Sequence, residues 1–282
     1  MINATEMTQK KCAVIIVTHQ SQAYFFHCLQ ALKQQTYPLS QIVVVDSGSE
    51  EVSYLSDPSI TLHIAGKNIG FCEGNNMGFS LADPSMDYIL FLNPDAFLTP
   101  TFVEQAVAYL SQPATKKVGA LTGTLLGFNM PQLIPTGLVD SRGIFRTWHG
   151  RWYDRDQGQP TAIPFEKEVE NVPALCGACM FCRREALKEV EITANEIMDS
   201  RFFMYKEDID LSLRLRRQGW ELQYLPHLSV YHCRGWQKER QKIPYHLRML
   251  SARNEMRLNV KIRSGYYLVS CLKYLFVKWI ER

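Results

Sequence analysis

The stretch DYILFLNPD, residues 87–95, decides the fold because it joins an apolar strand to the polar group that ends it. Tyr88–Leu92 has the composition of a strand that is covered on both faces of a sheet. Pro94 has no N–H for a sheet and biases Asn93 toward an extended conformation, so the strand is expected to end there. Asp95 is therefore presented at the carboxyl edge of a sheet, where open α/β folds bind ligands.

Before this stretch, apolar segments alternate with segments that favour helices. Short runs rich in β-branched residues predict buried strands at Cys12–Thr18, Gln41–Asp46 and residues 61–65. Helices are expected over residues 21–35 and 71–82. Alternation of this kind predicts an α/β fold with a mostly parallel sheet that is flanked by helices.

The second half of the chain is less regular. Residues 127–171 are rich in Gly, Pro, Trp and Arg and receive no firm assignment, whereas residues 172–182 predict a strand. The segment IDLSLRLR, residues 209–216, alternates like a strand, yet acidic residues before it and arginines at its end are helix start and stop signals, so we expect a helix. The main α/β domain should span residues 1–242, and a basic helical tail should span residues 243–282.

Charge and cysteine content limit the partners of the chain. A net charge of +3 over 282 residues does not indicate a nucleic-acid binder. Residues 238–282 nevertheless hold eleven basic and three acidic side chains, which favours an anionic surface as partner.

The N-terminal residues lack the apolar core of a signal peptide, so a cytoplasmic protein with eight reduced cysteines is expected. In CGACMFC, residues 176–182, apolar neighbours favour buried thiols over a zinc or iron–sulfur site.

Polar side chains follow three of the predicted strands: Thr18 with His19, then Asp46, then Asn93 with Asp95. Such residues are ordinary turn formers, but three sets on one edge of a parallel sheet favour a ligand site. Neither a phosphate-binding loop nor a dinucleotide fingerprint is present in the sequence. The stretch GKNIGFCEGNNMG instead spaces glycines by four, which permits close approach either of another backbone or of a flat ligand.

Six motifs occur in the order found in one enzyme family: VIIVTH, VVVDSGS, KNIGFCEGNNMGF, YILFLNPDA, FFMYKEDIDLSLRLRRQGW and VYH. Together they resemble family 2 glycosyltransferases, in particular the bacterial rhamnosyltransferase-like branch that builds surface polysaccharides such as lipopolysaccharide. The resemblance implies the A-type glycosyltransferase fold. It also implies inverting transfer from a nucleotide-diphospho-sugar to a saccharide or lipid-linked acceptor.

The same resemblance implies the parts of the active site. Asp95 resembles the last residue of the D-x-D motif and His232 matches a downstream metal ligand, so Mg²⁺ or Mn²⁺ is the expected cofactor. Asp208 is implied as the catalytic base, Glu207 as part of the acceptor site, and Asp210 as the partner of an arginine. The nucleotide-binding residues implied by their positions are Thr18, Asp46, Asn68, Gly70 and Asn75.

The branch implies dTDP-L-rhamnose as the donor, with UDP-hexoses as the alternative. A sugar-phosphate nucleotidyltransferase and a non-catalytic, membrane-bound binding protein are more remote alternatives. In the tail, the apolar residues 265–280 fall short of the roughly 20 needed to span a bilayer. They are compatible with a packed core helix, but the tyrosines, Trp279 and the basic charge favour peripheral attachment to the inner face of the cytoplasmic membrane.

Overall fold

A computed structural model describes residues 9–162, 168–233 and 243–280. Within these residues, most strands join one ten-stranded sheet and two form a separate hairpin. The strands are β1 (Cys12–Thr18), β2 (Gln41–Asp46), β3 (Thr61–Ile64), β4 (Tyr88–Leu92), β5 (Ala96–Leu98), β6 (Val118–Asn129), β7 (Ile134–Ser141), β8 (Ile144–Arg146), β9 (Trp152–Asp154), β10 (Glu170–Asn171), β11 (Cys179–Arg183) and β12 (Glu221–His232). The helices are α1 (Phe25–Lys33), α2 (Gly70–Leu81), α3 (Phe102–Leu110), α4 (Arg184–Glu189), α5 (Glu207–Arg217), α6 (Tyr245–Lys261) and α7 (Tyr267–Trp279).

The sheet has a parallel half and a mixed half. Its order is β10-β12-β6-β11-β4-β1-β2-β3, with β5 attached to β12 and β7 attached to β6. Strands β4, β1, β2 and β3 run parallel, and the pairing of Thr18 with Asp46 places two of the polar strand ends side by side. Strand β11 runs antiparallel between β4 and β6. The predicted α/β fold with a mostly parallel, helix-flanked sheet is confirmed.

Several predicted elements need correction. Strand β3 is exposed rather than buried, because it pairs only with β2 and forms the edge of the sheet. The strand predicted over residues 172–182 begins only at Cys179, because Pro173 cannot donate to a ladder and a turn joins the N–H of Cys179 to the carbonyl of Cys176. Helix α1 likewise begins at Phe25, after a turn. Residues 127–171, which received no assignment, contain the end of β6 and strands β7, β8, β9 and β10.

Two glycines of α2 let this helix lie directly on β1. A Cβ added to Gly74 would come within 2.6 Å of Val17, and one added to Gly78 would come within 2.3 Å of Ile15. The four-residue spacing therefore serves contact between helix and sheet at these two positions. The three thiols of residues 176–182 are buried, as the apolar neighbours predicted.

The tail consists of α6 and α7, which contact each other. The Tyr245 hydroxyl donates to the Lys278 carbonyl, which places the start of α6 near the end of α7. On α7, Leu268 and Leu272 are 70% and 67% exposed, and among the described helices none is long and apolar enough to cross a bilayer. The predicted boundary at residue 242 lies outside the described residues.

Candidate active site

Asp95 and His232 meet at the carboxyl edge of the sheet. Asp95 follows β4 and directly precedes β5, and the antiparallel pairing of Ala96 with His232 brings the last residue of β12 alongside it. The Nε2 atom of His232 lies 3.3 Å from Oδ1 of Asp95. Two residues that are 137 positions apart are thus brought together by strand register, and their role as metal ligands stays a prediction.

A second carboxylate, Asp140 at the end of β7, fixes the histidine ring. Nδ1 of His232 lies 2.7 Å from Oδ2 of Asp140, and both side chains are buried. Burial lowers the histidine pKa, but Asp95 and Asp140 outweigh it and raise the pKa of His232 to about 9. Sequence reasoning missed Asp140, which falls in residues 127–171.

The atoms around His232 fit a divalent cation. Asp95 offers a carboxylate oxygen, His232 offers Nε2, and Oδ1 of the neighbouring Asn93 is buried without a hydrogen-bond partner. No cluster of three or more His, Cys, Asp or Glu side chains forms a complete cation cage among the described residues. Two protein ligands suit a hard cation that takes its remaining oxygen ligands from phosphates and water.

A cavity of about 510 Å³ joins this pair to the first turn of α5, where Glu207 and Asp208 lie. Asp208 accepts hydrogen bonds from the N–H groups of Gly177 (3.1 Å) and Ile209 (2.8 Å), whereas Oε2 of Glu207 is buried without a partner. Burial, then the neighbouring Asp208 charge, raises the pKa of Glu207 to about 8. Burial also raises the pKa of Asp208, but its two backbone donors favour its ionised form.

Asp210 does not line this cavity and binds basic side chains instead. Its carboxylate lies 2.9 Å from Nε of Arg214 and 2.7 Å from Nζ of Lys261 on α6. The predicted pairing with an arginine is confirmed, and the contact with Lys261 also attaches the tail to α5. The side chain is buried, so these partners compensate its charge.

The β8–β9 hairpin forms part of the cavity wall and was not predicted to do so. Trp152 and Asp154 line the cavity together with Asp208. Trp152 is mostly buried, and its Nε1 atom has no hydrogen-bond partner. A separate cavity of about 580 Å³, lined by Lys10, Arg183 and other residues, contains none of the predicted site residues.

The predicted nucleotide-binding residues form a hydrogen-bonded group at the ends of β1 and β2. The Asp46 carboxylate is fully buried and accepts from the Thr18 hydroxyl (3.0 Å) and from both the N–H (2.8 Å) and hydroxyl (2.6 Å) of Ser49. It therefore organises the turn after β2, and its contact with a base stays a prediction. Asn68 accepts from the Ser47 hydroxyl (3.2 Å) and from the N–H of Gly70 (3.0 Å).

The other two predicted nucleotide-binding residues, Gly70 and Asn75, belong to α2. Gly70 has a positive φ of 82°, and a Cβ there would come within 2.5 Å of the Phe203 ring, so the glycine is required for contact with that ring. Asn75 is buried inside the fold, where its amide donates to the Phe71 carbonyl at 2.9 Å. The structure therefore does not bring Asn75 to the surface of the site, because its amide binds a carbonyl one turn earlier in the same helix.

A protein-family model described as "Glycosyltransferase like family 2" matches residues 10–249, which is most of the chain. The chain belongs to glycosyltransferase family 2. This glycosyltransferase is 26% identical over 239 residues to the N-acetylglucosaminyl-diphospho-decaprenol L-rhamnosyltransferase of Mycobacterium tuberculosis, covering 78% of this chain and 75% of that relative. It is 25% identical over 216 residues to the low-salt glycan biosynthesis hexosyltransferase Agl10 of Haloferax volcanii, covering 73% and 62% of the two chains.

Solved structures with low sequence identity share the A-type glycosyltransferase fold. GalNAc-T7 with UDP, GalNAc and Mn²⁺ matches with a TM-score of 0.67 and 17% identity, over 90% of this chain and 48% of that protein. The mannosyltransferase PcManGT of Pyrobaculum calidifontis with GDP-Man and Mn²⁺ matches with a TM-score of 0.60 and 16% identity, over 98% and 72% of the chains. This glycosyltransferase thus spans about half the length of GalNAc-T7.

Proposed function

We propose that this glycosyltransferase transfers a sugar, with inversion, from a nucleotide-diphospho-sugar to a hydroxyl of a saccharide or lipid-linked acceptor. The observation that carries the proposal is the single cavity lined by Asp95 and His232 at one part and by Asp208 at another. Such a cavity can hold the charged diphosphate and the attacking hydroxyl at the same time. Proximity of the two reactants supplies a large part of the rate enhancement.

Asp208 takes the proton of the acceptor hydroxyl, which is a poor nucleophile until that proton is removed. The neighbouring carboxyls are suited to different protonation states. The N–H groups of Gly177 and Ile209 stabilise charge on Asp208, whereas Glu207 has an oxygen without any donor and a pKa of about 8. Asp208 therefore acts as the base, and Glu207 remains protonated at neutral pH and shapes the acceptor site.

Asp95 and His232 would hold the divalent cation, Mg²⁺ or Mn²⁺. When bound, that ion neutralises the charge that develops on the leaving nucleoside diphosphate. With the cation bound, Asp140 would accept the Nδ1 proton of His232 and so orient the ring, which would leave the Nε2 lone pair for the cation. Support comes from GalNAc-T7 and PcManGT, whose structures contain Mn²⁺ together with a nucleotide or nucleotide sugar.

The donor is dTDP-L-rhamnose, an assignment that is supported by similarity to the Mycobacterium tuberculosis L-rhamnosyltransferase. UDP-hexoses are the alternative, because an Asp46 carboxylate that reads a pyrimidine through N3–H would accept uracil and thymine alike. Thr18, Asn68 and Gly70 lie beside Asp46 at the same edge. Protection against thermal unfolding by UDP-sugars but not by dTDP-rhamnose would overturn the rhamnose assignment.

Incubation with radiolabelled nucleotide sugars, Mn²⁺ and candidate acceptors tests the activity. We expect labelled glycoside and free nucleoside diphosphate from the wild-type enzyme, and no product from Asp95→Ala at unchanged melting temperature. Nucleotide-sugar synthesis from a sugar phosphate would instead indicate a nucleotidyltransferase. Retention of the donor without turnover would indicate a binding protein. Full activity of Asp95→Ala in excess EDTA would refute the metal assignment.

We further propose that α7 attaches the enzyme to the inner, cytoplasmic face of the membrane, where a lipid-linked acceptor would lie. One exposed apolar stripe is formed by six residues of α7 and by Ile280 directly after it: Leu268, Val269, Leu272, Leu275, Phe276, Trp279 and Ile280. Lys273 does not interrupt this stripe, because it pairs with Glu255 on α6. The basic charge of residues 238–282 complements anionic lipid.

Co-sedimentation with phosphatidylglycerol vesicles at low salt tests this attachment. Leu272→Asp is expected to lower the bound fraction, because a charge on the stripe opposes insertion. Leu133→Asp, at another exposed leucine (55% against 67% for Leu272) on the β6–β7 turn, serves as the matched control and should bind like the wild type. If wild-type protein ignores the vesicles, the tail does not attach the enzyme to membranes.

A further inference from the structure

The loop that leads into α5 has an unfavourable backbone conformation. Phe203, Tyr205 and Lys206 have φ angles of 64°, 72° and 76°, which non-glycine residues rarely adopt. Three such residues within four positions are unfavourable, and they persist only when their surroundings hold them. Asp208 lies two residues after the last of them, so the conformation of this loop sets the position of its carboxylate.

Asn254 on α6 holds this loop from one side. Its side chain is fully buried, and Nδ2 lies within hydrogen-bond distance of the carbonyls of Phe202 (2.6 Å), Met204 (2.8 Å) and Tyr205 (3.1 Å), so that one of its two hydrogens is shared between two oxygens. The amide orientation is fixed as well, because Oδ1 accepts from Nη1 of Arg257 at 3.1 Å. A single amide therefore binds three carbonyl groups of the loop, of which that of Phe202 also accepts from the Met204 N–H.

Helix α2 holds the same loop from the other side. The N–H of Cys72 donates to the Phe203 carbonyl at 3.0 Å, and the Phe203 ring lies against Gly70. On the α6 side, Lys261 also binds Asp210 of α5. The loop is thus held between a helix of the sheet domain and a helix of the tail.

We infer that Asn254 is a positioning residue, which holds loop 202–206 in the conformation that directs Asp208 at the acceptor hydroxyl. The inference rests on the proposed role of Asp208 and makes α6 part of the catalytic apparatus. Within the described part of the chain, the hydrogen bonds of the Asn254 side chain reach no residue that is proposed to hold the cation or nucleotide. Loss of its amide should therefore lower turnover and leave donor affinity unchanged.

Asn254→Asp and Asn254→Ala test the clamp, by which we mean the hydrogen bonds from the Asn254 amide to loop 202–206. The first keeps the size of the side chain but replaces the donor with an acceptor, and the second removes the donor without adding repulsion. Asn259→Ala is the matched control, because Asn259 is an equally buried asparagine of α6 that contacts Arg146 (2.9 Å) instead of the loop. For each variant, kcat, donor affinity, melting temperature and amide hydrogen exchange of residues 202–208 are measured.

Both Asn254 variants should lose roughly 10- to 100-fold in kcat, since a misplacement of about 1 Å at a reacting group costs that much. Their donor Kd should change less than threefold, and exchange of residues 202–208 should accelerate. Asn259→Ala should keep kcat and loop protection even if its melting temperature falls.

The inference is overturned if the Asn254 variants keep a protected loop, or if all three variants lose turnover in proportion to melting temperature. Hydrogen exchange reports on the clamp without any substrate. Absence of sugar transfer by the wild type would therefore count against the proposed function, whereas an unchanged exchange pattern in the Asn254 variants counts against the clamp.

Discussion

Replacement of Glu207 by glutamine should stabilise the protein, and the gain should grow with pH. Glu207 is buried, and its folded-state pKa is about 8 against an ordinary value of 4.5. Between these values the folded state binds more protons than the unfolded state, so the wild type loses stability as pH rises through this window. Below pH 4.5 the carboxyl is protonated in both states and imposes no penalty.

The size of the effect follows from the two pKa values. Each pKa unit corresponds to about 1.4 kcal/mol, so complete ionisation of Glu207 costs the fold at most about 5 kcal/mol. The Glu207→Gln variant does not ionise, and its free energy of unfolding relative to wild type should therefore rise by about 3 to 5 kcal/mol from pH 5 to pH 9.

Urea unfolding of both proteins at pH 5, 7 and 9 measures this difference. Glu185→Gln, at an exposed glutamate on α4, is the matched control and should follow the wild-type pH dependence. Parallel stability curves for Glu207→Gln and wild type would refute the account, because they would show that Glu207 ionises with an ordinary pKa in the folded protein.

Three further substitutions probe other parts of the site and fold. Asp208→Asn should lower kcat by roughly 10²- to 10⁴-fold with donor binding retained; loss of donor affinity at unchanged turnover would move Asp208 from catalysis to binding. Asp140→Asn should weaken Mn²⁺ binding, measured by electron paramagnetic resonance in the presence of nucleotide, by about 10- to 100-fold, and equal affinity would show that His232 needs no orienting partner. Gly78→Ala should destabilise the fold, because its Cβ would come within 2.3 Å of the Ile15 side chain; an unchanged melting temperature would contradict the close contact between α2 and β1.

The parallel half of the sheet was predictable from local sequence. Buried parallel strands read as continuous apolar runs, so β1, β2 and β4 are evident from composition alone. Strand β3 was wrongly predicted to be buried. Whether a strand lies at the edge of a sheet depends on whether a second strand pairs with its other side, and the local sequence does not show this. The antiparallel insertion of β11 beside β4 likewise depends on long-range pairing, and no local pattern specifies it.

The candidate site was predictable where motifs exist. Asp95, His232 and Asp208 carry motif signals, and the structure places them around one cavity. Asp140 carries no such signal, because the first five residues of β7 are exposed and show no alternation between apolar and polar positions. Asn254 lies in SARNEM, residues 251–256, which also resembles the family, but it received no role, since a buried asparagine within a helix cannot be told from an exposed one by periodicity.

A crystal structure with a nucleotide sugar and Mn²⁺ tests the central claim most directly, namely that one cavity unites donor, cation and base. We expect Mn²⁺ to be bound by a carboxylate oxygen of Asp95 and by Nε2 of His232, with the anomeric carbon of the sugar facing Asp208. A nucleotide sugar bound in the separate cavity lined by Lys10 and Arg183, or a cation held without Asp95 and His232, would contradict the account.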